Sequence, residues 1–155
     1  KTLFPALRLG YLVVPEELVD IFVKAKSFMS GESPILSQAV IADFIMEGHF
    51  IRHLRRMRQL YQGKWQYLHD LITDKLKHQV RPIAKSAGMH LAIEIKACND
   101  KALAAHLKTK GFGSSALSSY FLDEAGISGL VLGFANTSEA QGERLVAALE
   151  EYISS

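Results

Sequence analysis

Lys1 and Arg8 are the two residues of this chain best suited, by type and spacing, to do chemistry together. The lysine stands first, the arginine follows seven residues later, and Leu9-Gly10 then opens an apolar run, Tyr11-Leu12-Val13-Val14. A lysine amine can condense with an aldehyde to give a Schiff base. An arginine fork can hold a phosphate through two parallel hydrogen bonds. Pyridoxal phosphate carries both an aldehyde and a phosphate and needs both kinds of partner. By types and spacing alone, a lysine and an arginine flanking a strand are more often two solvated ends.

Other reactive side chains form no comparable set. The six histidines are His49, His53, His69, His78, His90 and His106. His49 and His53 are four apart, but no acid completes a metal set around them. His90 falls on the mixed face of an alternating segment, where it can touch a ligand or simply stand half exposed. The chain has no Gly-x-Ser-x-Gly, no Walker loop, no His-Glu-x-x-His and no Cys-x-x-Cys. Its single cysteine, Cys98, excludes an internal disulfide framework and a cysteine-rich zinc site. That usage fits a reducing cytoplasm.

The elements that must position these residues change character along the chain. Residues 8–14 are near-continuously apolar and predict a strand buried on both faces, as in a parallel sheet. Pro15 with Glu16 and Glu17 predicts a helix start, and Leu18, Ile21, Phe22, Ala25 and Phe28 give it an apolar face. Gly31-Glu32-Ser33-Pro34 breaks it. Ser33 then caps a second helix over 35–45, whose apolar residues on all sides predict burial against more than one partner, and exposed apolar surface in these residues alone. Gly48 ends that helix.

A third helix is predicted over 50–76, about seven turns, with Gly63 weakening it by roughly 1 kcal/mol relative to alanine. Arg52, His53, Arg55, Arg56 and Arg58 crowd its first half. They suit either DNA phosphates or a solvated helix face, and the buried seam of Leu54, Met57 and Tyr61 favours the solvated face. Short strands follow: 79–84 at an edge because of Pro82, 89–95 with clean alternation, 114–121 more weakly, and 130–135 strongly. Asn99 or Asp100 caps a helix ending at Gly111, and Ser138 with Gln141 opens the last helix with a capping box. The fold class expected is α/β in the α+β sense. One strand and two helices lead into a long connecting helix, and a mostly antiparallel sheet packed by helices follows. The expected division is 1–49, 50–77 and 78–155.

The totals agree with a folded domain. The chain has 155 residues, 48% of them hydrophobic and 22% charged, enough for a real core. A net charge of +2 does not argue for nucleic acid. No segment has the unbroken apolar length of a membrane span. The first residue is not methionine, and the expectation is a piece of a longer protein.

The string Lys1-Thr2-Leu3-Phe4-Pro5-Ala6-Leu7-Arg8-Leu9-Gly10-Tyr11 resembles the cofactor-lysine segment of fold-type I aminotransferases. It is most similar to the version in MocR-type regulators of the GntR family, in which a winged helix-turn-helix is joined to an aminotransferase-like domain. Gly48-His49-Phe50-Ile51-Arg52-His53-Leu54-Arg55-Arg56-Met57-Arg58 with Tyr61 resembles that family's interdomain helix. Ala87-Gly88-Met89-His90-Leu91 resembles its small-domain strand beside the substrate mouth, and Leu132-Gly133-Phe134-Ala135 its last strand.

The resemblance implies that Lys1 holds pyridoxal phosphate covalently, Arg8 holds its phosphate, and His90 touches an amino acid or amine effector. It also implies that 1–49 is the remnant of a large cofactor-binding lobe, with DNA contacted only through a module outside this chain. A cytoplasmic homo-oligomer is expected, one that does not bind the cofactor stably as these residues alone. Many relatives place an arginine just before the Leu-x-Phe-Ala run to grip a substrate carboxylate, and here Val131 stands there. Valine donates no hydrogen bond, so sensing is expected rather than turnover. The alternatives are a working aminotransferase and a cofactor-free α+β interaction domain.

Overall fold

A computed structural model describes residues 3, 7–31, 34–83, 88–96, 98–122 and 126–154. A single 3-10 turn, Glu16–Leu18, leads into α1 (Val19–Ser30), followed by α2 (Ile35–Met46) and α3 (His49–Lys75). Then come β1 (Val80–Pro82), β2 (His90–Ile95), α4 (Asp100–Thr109), β3 (Ser114–Ala116), β4 (Gly129–Gly133) and α5 (Glu139–Ile153). The chain forms two compact units, Lys1–Met57 and Arg58–Ser155, divided inside α3. No helix among the described residues is long and apolar enough to cross a membrane.

In the first unit, Glu16 and Glu17 occupy the opening turn, where acids complement the helix dipole. Gly48 takes φ 74° between α2 and α3, a conformation that side chains with a Cβ resist. Ser33, the expected cap of α2, lies outside the described residues, and Pro34 holds the N-cap position. One expectation fails here. Residues 8–14 form no strand: a strand needs a neighbour's hydrogen bonds, and among the described residues the four strands lie between Val80 and Gly133. Tyr11 and Val13 are accordingly 92% and 84% exposed. The helix α2 exposes its apolar surface, as expected of these residues alone: Ile35, Leu36, Val40, Ile45 and Met46 are all half exposed or more. Burying a helix that is apolar on every side takes covering surfaces on every side, and the described residues of this unit do not supply them.

The second unit holds the core. Its sheet runs β1-β2-β4-β3, every pair antiparallel. Alternation along β2 sends Leu91, Ile93 and Ile95 inward, and β4 adds Leu130 and Leu132. Leu68, Ile72 and Leu76 from α3 and just past it, Leu103 and Leu107 from α4, and Leu145, Val146 and Leu149 from α5 cover that face. Edge strand β1 is short and carries Pro82, as expected. The segment 114–121 pairs only over β3 and turns into a 3-10 helix at Leu117. Asn99 caps α4 by accepting from the Ala102 N–H at 3.1 Å. Ser138 and Gln141 make both bonds of the capping box on α5.

Asp100 ties this unit together. Its buried carboxylate accepts from Ser118 N–H and O–H, each at 2.8 Å, and from Gly129 N–H at 3.1 Å. It thereby fixes the start of β4, where only glycine fits. A Cβ on Gly129 would stand 1.9 Å from the Ile93 carbonyl oxygen. Burial pushes the Asp100 carboxyl up, but the bonds from Ser118 and Gly129 outweigh it and hold the group below the usual carboxylate range.

A group lowered on folding contributes its stability above the unfolded value, near pH ~3.9. It loses that contribution as pH falls through the folded value. Asp100→Ala should lower unfolding free energy by about 2–3 kcal/mol at neutral pH, because two N–H groups lose their partner. Urea titrations should show the gap between wild type and variant closing under acid conditions.

Candidate functional site

The outer face of the sheet is built from the residues that alternation turns away from the core. Arg81 stands opposite Glu94, and Glu94 opposite Gly129. Ala92 stands opposite Val131, which in turn faces Ser115. His90 opens β2 opposite Gly133. The His90 ring edge comes within 3.9 Å of where a Cβ on Gly133 would be, so the missing side chain gives the imidazole room. His90 is exposed, and Val131 is half-buried.

Charge on this face is largely spoken for. Arg81 donates from Nε to Glu94 Oε2 at 2.9 Å, and its Nη2 bonds the same oxygen. The centre, Ala92 with Val131, is neutral and small. Arg81 is therefore not a free cation for a carboxylate, and Val131 cannot replace one.

Of the residues expected to act, His90 shares one sheet face with Arg81 and Val131. Lys1 lies outside the described residues. Arg8 belongs to the first unit, where it is exposed and adopts φ 50°, a region that costs a non-glycine residue on the order of 1 kcal/mol. No described carboxylate lies within ion-pair distance of its guanidinium. A free arginine fork downstream of a lysine is the donor set that a phosphorylated aldehyde requires.

Several side chains drop out as chemistry. Among the described residues no group of three His, Cys, Asp or Glu could hold a metal ion. Burial, with the Asp100 carboxylate nearby, pushes the Cys98 thiol up, away from a reactive thiolate. Arg52, Arg55, Arg56 and Arg58 are exposed on α3, with Arg52 Nη2 at 3.4 Å from His49 Nδ1. His69 stacks on Trp65 at 4.7 Å and hydrogen-bonds Asp70 at 3.0 Å.

One feature carries no sequence signal. A cavity of about 460 Å³ opens between α3 and the start of α5, lined by Gln59, Lys64, Tyr67, Phe134, Thr137 and Glu139 among others. Lys64 and Tyr67 read as ordinary polar positions of an amphipathic helix. Only the folded register brings them to the turn after β4.

The family described as aminotransferase class I and II matches residues 2–149. The probable rhizopine catabolism regulatory protein MocR of Rhizobium meliloti is 38% identical over 136 residues, 87% of this chain and 28% of that protein. The pyridoxine biosynthesis transcriptional regulator PdxR of Corynebacterium glutamicum is 23% identical over 150 residues, 97% of this chain and 32% of that protein. Among solved structures, the α-aminoadipate aminotransferase LysN of Thermus thermophilus superposes with a TM-score of 0.79 at 23% identity, covering 97% of this chain and 40% of that one. The chain thus spans about three-tenths of the length of these curated relatives.

Because His90 is exposed and makes no core contact, His90→Ala should change unfolding free energy by no more than about 0.5 kcal/mol. A thermal melt compared with wild type checks this. A large loss would mark the imidazole as structural and remove it from the candidate site.

Proposed function

This chain belongs to the aminotransferase class I and II family, and from that premise we propose that it is part of the ligand-sensing domain of a MocR-type transcription regulator. The observation that carries the reading is the 38% identity with a regulatory protein over 87% of the chain. In this reading residues 1–49 belong to a large cofactor-binding lobe, 50–77 form the connecting helix, and 78–155 form the small domain. DNA is contacted by a module outside these residues. The protein works as a cytoplasmic homo-oligomer.

Lys1 and Arg8 are the residues that would hold pyridoxal phosphate, Lys1 at the aldehyde carbon and Arg8 at the phosphate. When bound, the group supplies an electrophilic carbon that condenses with amines. Arg8 fixes the orientation of the bound group, and its free guanidinium supports that role. The exposed imidazole of His90, with the space left by Gly133, offers a hydrogen bond to an amine or amino acid effector.

The neutral patch of Val131 and Ala92 supports sensing over turnover. A substrate carboxylate seated there would lose water without gaining a cation, which costs several kcal/mol. The likeness to LysN, at 23% identity, speaks for the fold and not for transamination. An effector shifts the protein only by binding its two states unequally.

Absorption spectroscopy on the longer protein containing this chain tests the reading. A band of covalently held cofactor is expected, absent in Lys1→Ala, and Arg8→Ala should weaken cofactor retention about tenfold, the loss of roughly one charge-assisted hydrogen bond. Val131→Arg should favour carboxylate-bearing amines over plain amines in spectral titrations. A wild-type protein without any such band would rule out cofactor-based sensing.

A further inference from the structure

The cavity between α3 and α5 contains a lysine with an unusual task. Lys64 Nζ donates to two main-chain carbonyls, Ala135 at 2.7 Å and Thr137 at 3.3 Å, both in the turn between β4 and α5. The ammonium is half-buried, and no described carboxylate lies within ion-pair distance of it. It also stands by the turn that leads into a helix N-terminus, the positive end of the dipole, where a cation is disfavoured. Neither charge pairing nor the dipole accounts for a lysine there. What it does is tie the long helix to the turn.

From that turn the connections run straight to the outer sheet face. Thr137 Oγ1 donates to the Gly133 carbonyl at 3.0 Å, and Thr137 N–H to the Phe134 carbonyl at 3.1 Å. Phe134 N–H donates to the Met89 carbonyl at 3.2 Å. Gly133 and Met89 are the immediate surroundings of His90. Other contacts between α3 and α5 land beyond the turn: Tyr67 O–H donates to the Glu139 carbonyl at 3.2 Å, and Gly142 packs where a Cβ would come within 3.1 Å of the Tyr67 ring. Among the described side chains of α3, Lys64 alone is bonded to the turn itself. It sits seven residues, about two helical turns, past the division between units at Met57.

We propose that Lys64 is a positioning residue that couples displacement of α3 to the strand ends carrying Gly133 and His90. The proposal rests on the ligand-sensing reading above. Lysine suits the role because its three donors and flexible stem keep two carbonyls engaged through a small shift, which an apolar residue cannot do. A continuous bonded path of this kind is a route for coupling only if breaking it changes the response.

Two measurements with Lys64→Met and Lys64→Arg decide it. In the 155-residue chain, amide hydrogen exchange at Phe134 and Thr137 should speed up about tenfold in Lys64→Met, while Leu103 and Leu107 in α4 stay unchanged. Lys64→Arg, which keeps the donors, should restore most of the protection. Unchanged exchange at Thr137 would overturn the tie. Where the methionine variant fails to fold, Lys64→Leu, which likewise has no donor, takes its place.

In the longer protein the resting cofactor band should be the same in Lys64→Met and wild type. The effector concentration for half response should rise at least fivefold, and arginine should return it toward wild type. An unshifted response with band and effector binding intact overturns the coupling. A wild-type protein lacking the band or the response sinks the sensing reading instead, and leaves the exchange result to stand on its own.

Discussion

Leu68, Ile72 and Leu76 are fully shielded from water against the inner face of the sheet, and most of the second unit follows from that contact. Each such side chain stabilises the fold by about 1.5–3 kcal/mol on burial. The seam sets the rotation of α3 about its own axis. Because the helix turns 100° per residue, fixing Leu68 and Ile72 also fixes where Lys64 and Tyr67 point. They end at the turn after β4 and at the start of α5. A register error of one residue in α3 would keep the sequence and lose the tie.

The sheet separates stability from chemistry by its period of two. Leu91, Ile93 and Ile95 go to the core, and His90, Ala92 and Glu94 to the other side. Asp100 guards this division from below. Its carboxylate holds Gly129 at the start of β4, and the pairing of Gly129 with Glu94 fixes every later pair up to Gly133 with His90. The position of His90 therefore depends on a buried acid it never touches.

The second unit was largely legible in the sequence because its signals are local or periodic. Alternation over β2, the Asn99 cap, the capping box at Ser138 and Gln141, and the edge-strand proline Pro82 each act within a few residues. What failed in reading was non-local. The run from Arg8 to Val14 is strand-like in composition, yet a strand exists only with a partner, and no described strand offers one. The helix α2 is apolar all round, and its exposure in these residues alone was expected, since burial is a property of what covers a surface. Lys64 gave no signal because its partners are 71 and 73 residues away. Of the candidate site, His90 fell on the expected face, since parity along a strand is readable. Arg81 on the same face is a cation by type, and its cross-strand partner Glu94 neutralises it.

The retained and the missing groups point the same way. Turnover of amino acids needs a cation to hold a carboxylate while bonds at the neighbouring carbon change. The outer face provides Val131, Ala92 and a paired Arg81 instead. Sensing needs less: a reversible covalent or hydrogen-bonded encounter, and a path from it to an element that moves. In that reading Arg8 would orient a phosphate and His90 would meet the amine, and the turn bonded to Gly133 is also bonded to α3 through Lys64. In the sensing reading proposed above, an outer face whose described arginine is paired and whose centre is Val131 and Ala92 suits registering a bound amine more than holding a reacting acid in place.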